Sequence, residues 1–168
     1  TMDLSGTLVE ADKPVSIFVG HPCTFVPQDS WACDHLEEQL LPAETLGTRY
    51  LLQTTRRRNS NLESSEETIY WRIVADADAE VTFTPPLQEL AATAPSNNHT
   101  ADCRNLMDGP MLRLQEGEVC EFGTREAVSV ESDASLLIGG VLSGHQSTGI
   151  LSYGTQAGDP AFFLAPPV

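Results

Sequence analysis

The residues best equipped for chemistry crowd into one short stretch: His21, Cys33, Asp34, His35, Glu37 and Glu38. Imidazole, thiolate and carboxylate are ligands for zinc, and a carboxylate beside an imidazole can do acid–base work. The spacing assembles neither site. No His-Glu-x-x-His run occurs, and His35 with Glu38 supplies a single pair three positions apart. The His-x-Glu signature of zinc deaminases needs a Pro-Cys-x-x-Cys partner, which is missing. We therefore read these residues as capping, hydrogen-bonding and disulfide-supporting groups, and assign no catalytic or metal-binding residue among them. A hydrolase using His21 and His35 would need a concave pocket gathering both with Asp34.

Other motifs fall short in the same way. Asp76-Ala77-Asp78-Ala79-Glu80 has the alternating acids that open a calcium loop, but Val81 and Leu87 stand where an EF-hand needs glycine and glutamate. A hairpin turn is the preferred reading, with adventitious calcium as its rival and no dedicated cofactor. Gly144-His145-Gln146-Ser147-Thr148-Gly149 places a serine near a histidine without forming Gly-x-Ser-x-Gly. No phosphate or dinucleotide fingerprint occurs. Asn98-His99-Thr100 is a glycosylation sequon in a polar loop.

Charge excludes another class. The chain of 168 residues carries 24 acidic against 9 basic side chains, a net charge of -15. Such a surface repels phosphate backbones and disfavours nucleic acid. The one basic cluster, Arg56-Arg57-Arg58, is followed by Glu63, Glu66 and Glu67, and reads as a solvated, self-neutralising loop. Mean hydropathy is -0.16, and no apolar run nears the ~18 residues of a membrane span. The start, Thr1-Met2-Asp3-Leu4, lacks a signal-peptide pattern, and Ala165-Pro166-Pro167-Val168 ends like a linker. We expect a single domain over 1–168, cut from a longer secreted or surface protein.

Four cysteines allow two disulfides, metal ligation or free thiols. Cys23 and Cys33 are ten positions apart, Cys103 and Cys120 seventeen, and neither pair has a zinc-knuckle spacing. Of three connectivities, 23–33 with 103–120 closes two local loops at modest entropic cost. An oxidising compartment follows from that reading.

Positioning such residues falls to short strands. Strands are expected at 4–10, 15–20, 48–54, 68–74, 80–84, 111–114, 119–122, 127–130, 136–142 and 161–164, with period-two alternation clearest at 15–20, 68–74 and 80–84 and with 136–142 apolar on both faces, as an inner strand is. Ile69, Trp71 and Ile73 point one way and Tyr70 and Arg72 the other. Asp76 to Ala79 turns the chain into Val81 and Phe83, which makes 68–84 a hairpin. Gly139-Gly140 inside an apolar strand signals a bulge or a close backbone approach. The segment 34–41 reads as a short helix, with Asp34 as N-cap, Glu37 in the capping box, Leu36 and Leu40 on one face and Pro42 as terminator. A turn or two of helix is expected at 87–93. The loop from Cys23 to Cys33 holds Phe25, Pro27 and Trp31. The segments 9–18 and 130–139 resemble one another, each before a Gly-His pair, as two equivalent hairpins would. The fold class is all-β: a sandwich or open barrel of short, mainly antiparallel strands.

Several of these strings together resemble the IgGFc-binding protein N-terminal domain family. They are Asp12-Lys13-Pro14-Val15-Ser16-Ile17-Phe18-Val19-Gly20-His21-Pro22-Cys23, then Cys33-Asp34-His35-Leu36-Glu37-Glu38-Gln39-Leu40-Leu41-Pro42, then Leu46-Gly47. Leu46 stands where the family pattern has tryptophan. Likeness continues through Tyr70-Trp71-Arg72-Ile73-Val74-Ala75, Leu114 to Glu118 and Gly158 to Phe163, so it spans nearly the whole chain. Eight arginines against one lysine suit a bacterial-like member. The resemblance implies an extracellular or cell-surface β module and supports the Cys23–Cys33 pairing. It identifies no binding residues, and fold does not transfer the Fc ligand.

The function expected is a non-catalytic binding or adhesion module for a protein or glycan, with Phe25 and Trp31 as candidate ligand-binding residues. A structural spacer in an envelope protein is the alternative. Exposed aromatic residues on loops favour the first, a featureless acidic surface the second.

Overall fold

In the computed structural model, residues 3–55, 58, 67–144 and 158–168 are described. The alternation over Ile69–Ala75 (β4) buries Ile69, Trp71, Ile73 and Ala75 in one core. Across Ala79–Thr84 (β5) the same face continues as Ala79, Val81 and Phe83. Both strands pair with Val128–Leu142 (β10), a single fifteen-residue strand. Ala75 pairs with Leu136 and Val81 with Ser132, so β4 and β5 run in the same direction along β10. They do not form a hairpin with each other. Residues 76–78 are a bend in what is otherwise one long line of pairing.

The neighbouring strands bend at the same place. Met111–Leu114 (β8) pairs with β5, and Val119–Thr124 (β9) pairs with β4, again antiparallel. At the corner the Gly117 N–H donates to the Ala75 carbonyl at 2.9 Å, and the Ala75 N–H donates to the Glu118 carbonyl at 3.2 Å. Asp78 accepts from the Glu116 N–H at 3.0 Å and Asp133 from the Glu80 N–H at 2.8 Å. These carboxylates satisfy backbone donors that lose their strand partners where the ladder turns. Strands that bend together fold one sheet across its own core, and the result is a half-barrel.

The remaining strands are Phe18–Thr24 (β1), Asp34–Gln39 (β2), Gly47–Leu52 (β3), Ala101–Asp102 (β6), Met107–Asp108 (β7) and Phe162–Leu164 (β11). The large sheet runs β6-β9-β4-β10-β5-β8-β7, with β3 and β11 also on β10. All of its pairings are antiparallel except β6 with β9, as the all-β expectation required. β1 and β2 form a separate antiparallel pair. Cys103 is bonded to Cys120 within the core, and Cys23 to Cys33 at one end of β1–β2.

Several local expectations are corrected. The segment 34–41 is strand β2 and a short extension, not a helix. Leu36 and Leu40 satisfy a period of two as well as a helical face, and the hairpin supplies backbone partners that an isolated two-turn helix lacks. β1 begins at Phe18 and runs past Gly20-His21-Pro22, with a register shift between His21 and Thr24. Proline is tolerated there because the strand lies at an edge. Residues 4–10 form no strand, and 87–93 form no helix but a turn in which the Leu90 N–H reaches the Pro86 carbonyl at 3.2 Å, followed by a bridge from Thr93 to Gly123. The segments 127–130 and 136–142 are parts of β10, so 130–139 is one strand rather than a hairpin equivalent to 9–18. The second Gly-His pair extends into His145, outside the described residues, as do Arg56 and Arg57.

Arg58 itself is not a solvated tip. Its Nε lies 2.7 Å from Glu67 Oε2, and its Nη1 donates to the Asp159 carbonyl at 3.0 Å. Gly139 and Gly140 mark a close approach, as their pairing in sequence suggested. A Cβ on Gly140 would meet the Phe163 ring and, at 2.7 Å, Trp71 Cζ3.

Candidate functional site

Alternation that buries Trp71 and Ile73 in the main core sends Tyr70 and Arg72 to the opposite face of the sheet. Glu121 pairs with Arg72 across β4 and β9. The Arg72 Nε lies 3.0 Å from Glu121 Oε2, and Glu121 is fully buried. The other Glu121 oxygen accepts from the Ser96 N–H at 2.6 Å. Arg72 also donates to Thr100 Oγ1 and Ser5 Oγ, each at 3.0 Å, and reaches Asp3 at 3.3 Å. One guanidinium thus ties the chain start and the 96–100 loop to the sheet. Burial alone would raise the Asp3 carboxyl, but hydrogen bonds from Ser5 and the Arg72 charge hold it below its usual range.

The β1–β2 hairpin covers the rest of this face. Val26 and Leu36 are buried against Tyr70, with Val141 and Phe162 alongside. Burial, followed by the charges of Glu121 and Asp29, pushes the Tyr70 phenol up to about 12. Leu36 is paired with His21 and is buried, whereas His21 and His35 are both exposed. His21 Nδ1 accepts from the Cys23 N–H at 3.1 Å, and His35 Nε2 lies 3.2 Å from Glu37 Oε2. The two imidazoles suspected from sequence are therefore not gathered around one point. No group of three or more His, Cys, Asp or Glu side chains among the described residues is arranged to hold a metal. In the 76–80 acidic run, Asp78 is engaged as a backbone acceptor.

Phe25 and Trp31 lie in the loop closed by Cys23 and Cys33, with 40% and 70% of their surfaces exposed. Phe18, at the far end of β1, is 60% exposed. Beside the aromatic loop opens a groove of about 710 Å³ between Pro27-Gln28-Asp29 and the segment 94–105. Neither Phe25 nor Trp31 lines it. Its walls are joined by the Gln28 N–H donating to the Ser96 carbonyl at 2.7 Å and the Asn98 N–H donating to Gln28 Oε1 at 2.9 Å. Sequence reasoning missed Gln28, Asp29 and Asn105. The only local signal was the polar run Ser96-Asn97-Asn98-His99-Thr100, which reads equally well as an ordinary loop.

The family described as IgGFc binding protein matches residues 1–168, the full chain. The chain belongs to the IgGFc-binding protein family. A human IgGFc-binding protein is 43% identical over 54 residues, which cover 32% of this chain and 1% of that protein. The chain thus spans about one hundredth of the curated relative it matches. No solved structure matches the chain. In this IgGFc-binding family member both cysteine pairs flank the groove: Cys23–Cys33 encloses one wall, and Cys103 sits between Asp102 and Asn105 in the other.

Proposed function

We propose that this chain is an extracellular, non-catalytic binding module within a longer secreted or surface protein, and that it engages a protein or glycan through the Cys23–Cys33 loop. The observation carrying this reading is the exposure of Trp31, 70%, and Phe25, 40%, on a loop closed by a disulfide. Large aromatic side chains held in water on a restrained loop suit recognition, because little side-chain entropy is lost on binding. Family membership, the two cysteine pairs and the lack of nucleophile motifs support it further. The human relative's name supplies the first ligand to try, the Fc fragment of IgG.

The test is surface-based binding of the chain to purified Fc and to an immobilised glycan array, with Trp31→Ala and Phe25→Ala in parallel. A ligand contacting this loop should lose at least about tenfold in affinity with one of the variants, as aromatic anchors do. Binding that neither substitution alters would move the interface elsewhere. No binding to either probe would favour the spacer role.

A further inference from the structure

We propose that the groove between Pro27-Gln28-Asp29 and 94–105 is a subsite for a neutral saccharide with adjacent free hydroxyls. This deepens the binding-module reading and rests on it.

The lining chemistry selects the ligand. No lysine, arginine or histidine lines the groove, whereas Asp29 and Asp102 do. The chain as a whole carries -15. Sulfated, sialylated and phosphorylated ligands would meet the Asp29 carboxylate, while the nearby guanidinium groups are already committed, Arg104 to Asp102 and Arg72 to Glu121 and Asp3. Carboxamides dominate the polar groups, each offering two donors and an acceptor. A sugar hydroxyl both donates and accepts, so it uses such groups fully. Asn98 and Asn105 spend no side-chain hydrogen bond within the described residues, and both are exposed. Asp102 is already held by Arg104 at 2.9 Å. Asp29 makes no hydrogen bond or ion pair among the described residues, which leaves a carboxylate to accept from two neighbouring hydroxyls. Pro27, Ala94 and Pro95 supply the apolar patch for the C–H face of a ring.

The groove is also built before any ligand arrives. Ser96 is fixed from below by Glu121, 2.6 Å away, and from the side by Gln28. A peptide is less well served. The strand bordering the groove, β6, has two residues, too few backbone groups to add a strand.

The experiment uses the full chain on an array of neutral and acidic oligosaccharides, followed by titration of the best neutral binder. Asp29→Ala and Asn105→Ala change exposed side chains and leave the fold's hydrogen bonds intact, and Phe18→Ala serves as a control on the far end of β1. The expected result is binding to neutral glycans, weakened about tenfold by D29A and by N105A and unchanged by F18A. Selective binding of acidic glycans overturns the proposal. So does neutral-glycan binding that W31A abolishes and D29A and N105A do not touch, although that outcome keeps the aromatic loop as the interface. Binding to Fc with no glycan bound overturns the saccharide subsite alone. Binding to neither probe overturns the subsite and the binding-module reading together.

Discussion

Arg72 and Glu121 sit directly opposite each other on β4 and β9, with Nη2 2.9 Å from Oε2, and the carboxylate is fully buried while the guanidinium is partly exposed. A buried ion pair adds little net stability by itself, but removing one partner strands the other. Arg72→Ala should destabilise the fold by about 3–5 kcal/mol, measured as a shift in the urea midpoint at unchanged slope. Glu121→Gln keeps an acceptor for the Ser96 N–H and removes the buried charge. It should cost clearly less. Equal losses from both variants would show that the pair is not the source of the effect.

Tyr70 gives a pH dependence with a definite sign. Its phenol is raised from 10.0 to about 12 in the fold, so the unfolded chain gives up this proton first. Above pH 10 the native state binds more protons than the unfolded state, and stability falls as pH rises. The effect is absent below pH 10 and amounts to roughly 3 kcal/mol once pH passes the folded value. Tyrosine absorbance near 295 nm should show the Tyr70 phenol titrating about two units late, beside Tyr50, which burial also raises. Tyr70→Phe should remove that step and flatten the alkaline loss of stability.

The two cysteine pairs differ in access. Cys103 and Cys120 are fully buried, whereas Cys23 lies at the exposed end of the hairpin. A phosphine reductant under native conditions should open Cys23–Cys33 first, seen by alkylation and peptide mass mapping. Replacing Cys103 and Cys120 by alanine should cost about 3 kcal/mol or more, since it opens a loop and leaves a core void. Replacing Cys23 and Cys33 should leave the main unfolding transition of the sheet closer to that of the parent chain.

Gly140 leaves no room for a side chain. Trp71 and Phe163 stand edge to face with ring centroids 5.5 Å apart, and Gly140 lies against both rings. Gly140→Ala should cost about 1–3 kcal/mol through overpacking and loosen β11 from β10. Hydrogen exchange at Phe162–Leu164 reads this directly. A substitution that leaves both stability and exchange unchanged would contradict the packing.

What was legible in the sequence is what local chemistry encodes. Ile69, Trp71 and Ile73 against Tyr70 and Arg72 divided the faces of β4 correctly, because side-chain direction in a strand follows from alternation alone. Gly139-Gly140 signalled a bulge or a close approach, and the structure decides for the approach, with the Phe163 and Trp71 rings against Gly140. Cysteine spacing singled out the local pairing. Loop position placed Phe25 and Trp31 at the surface, since a loop that short has little core to bury them in.

Only the tertiary structure decided how those pieces pair. Asp76-Ala77-Asp78 carries the same turn chemistry whether β5 folds back on β4 or continues past a bend along β10, and the partner that settles it, β10, is distant in sequence. Leu36 and Leu40 fit a helix and a strand equally well until β1 supplies hydrogen bonds to one of them. The groove has no sequence signature at all: Asp29 and Asn105 are 76 positions apart and come to line one groove whose walls are joined by the Gln28 N–H on the Ser96 carbonyl. Alternation and turn residues act over a few positions, while pairing and cavity shape are set by which distant surfaces exclude water together.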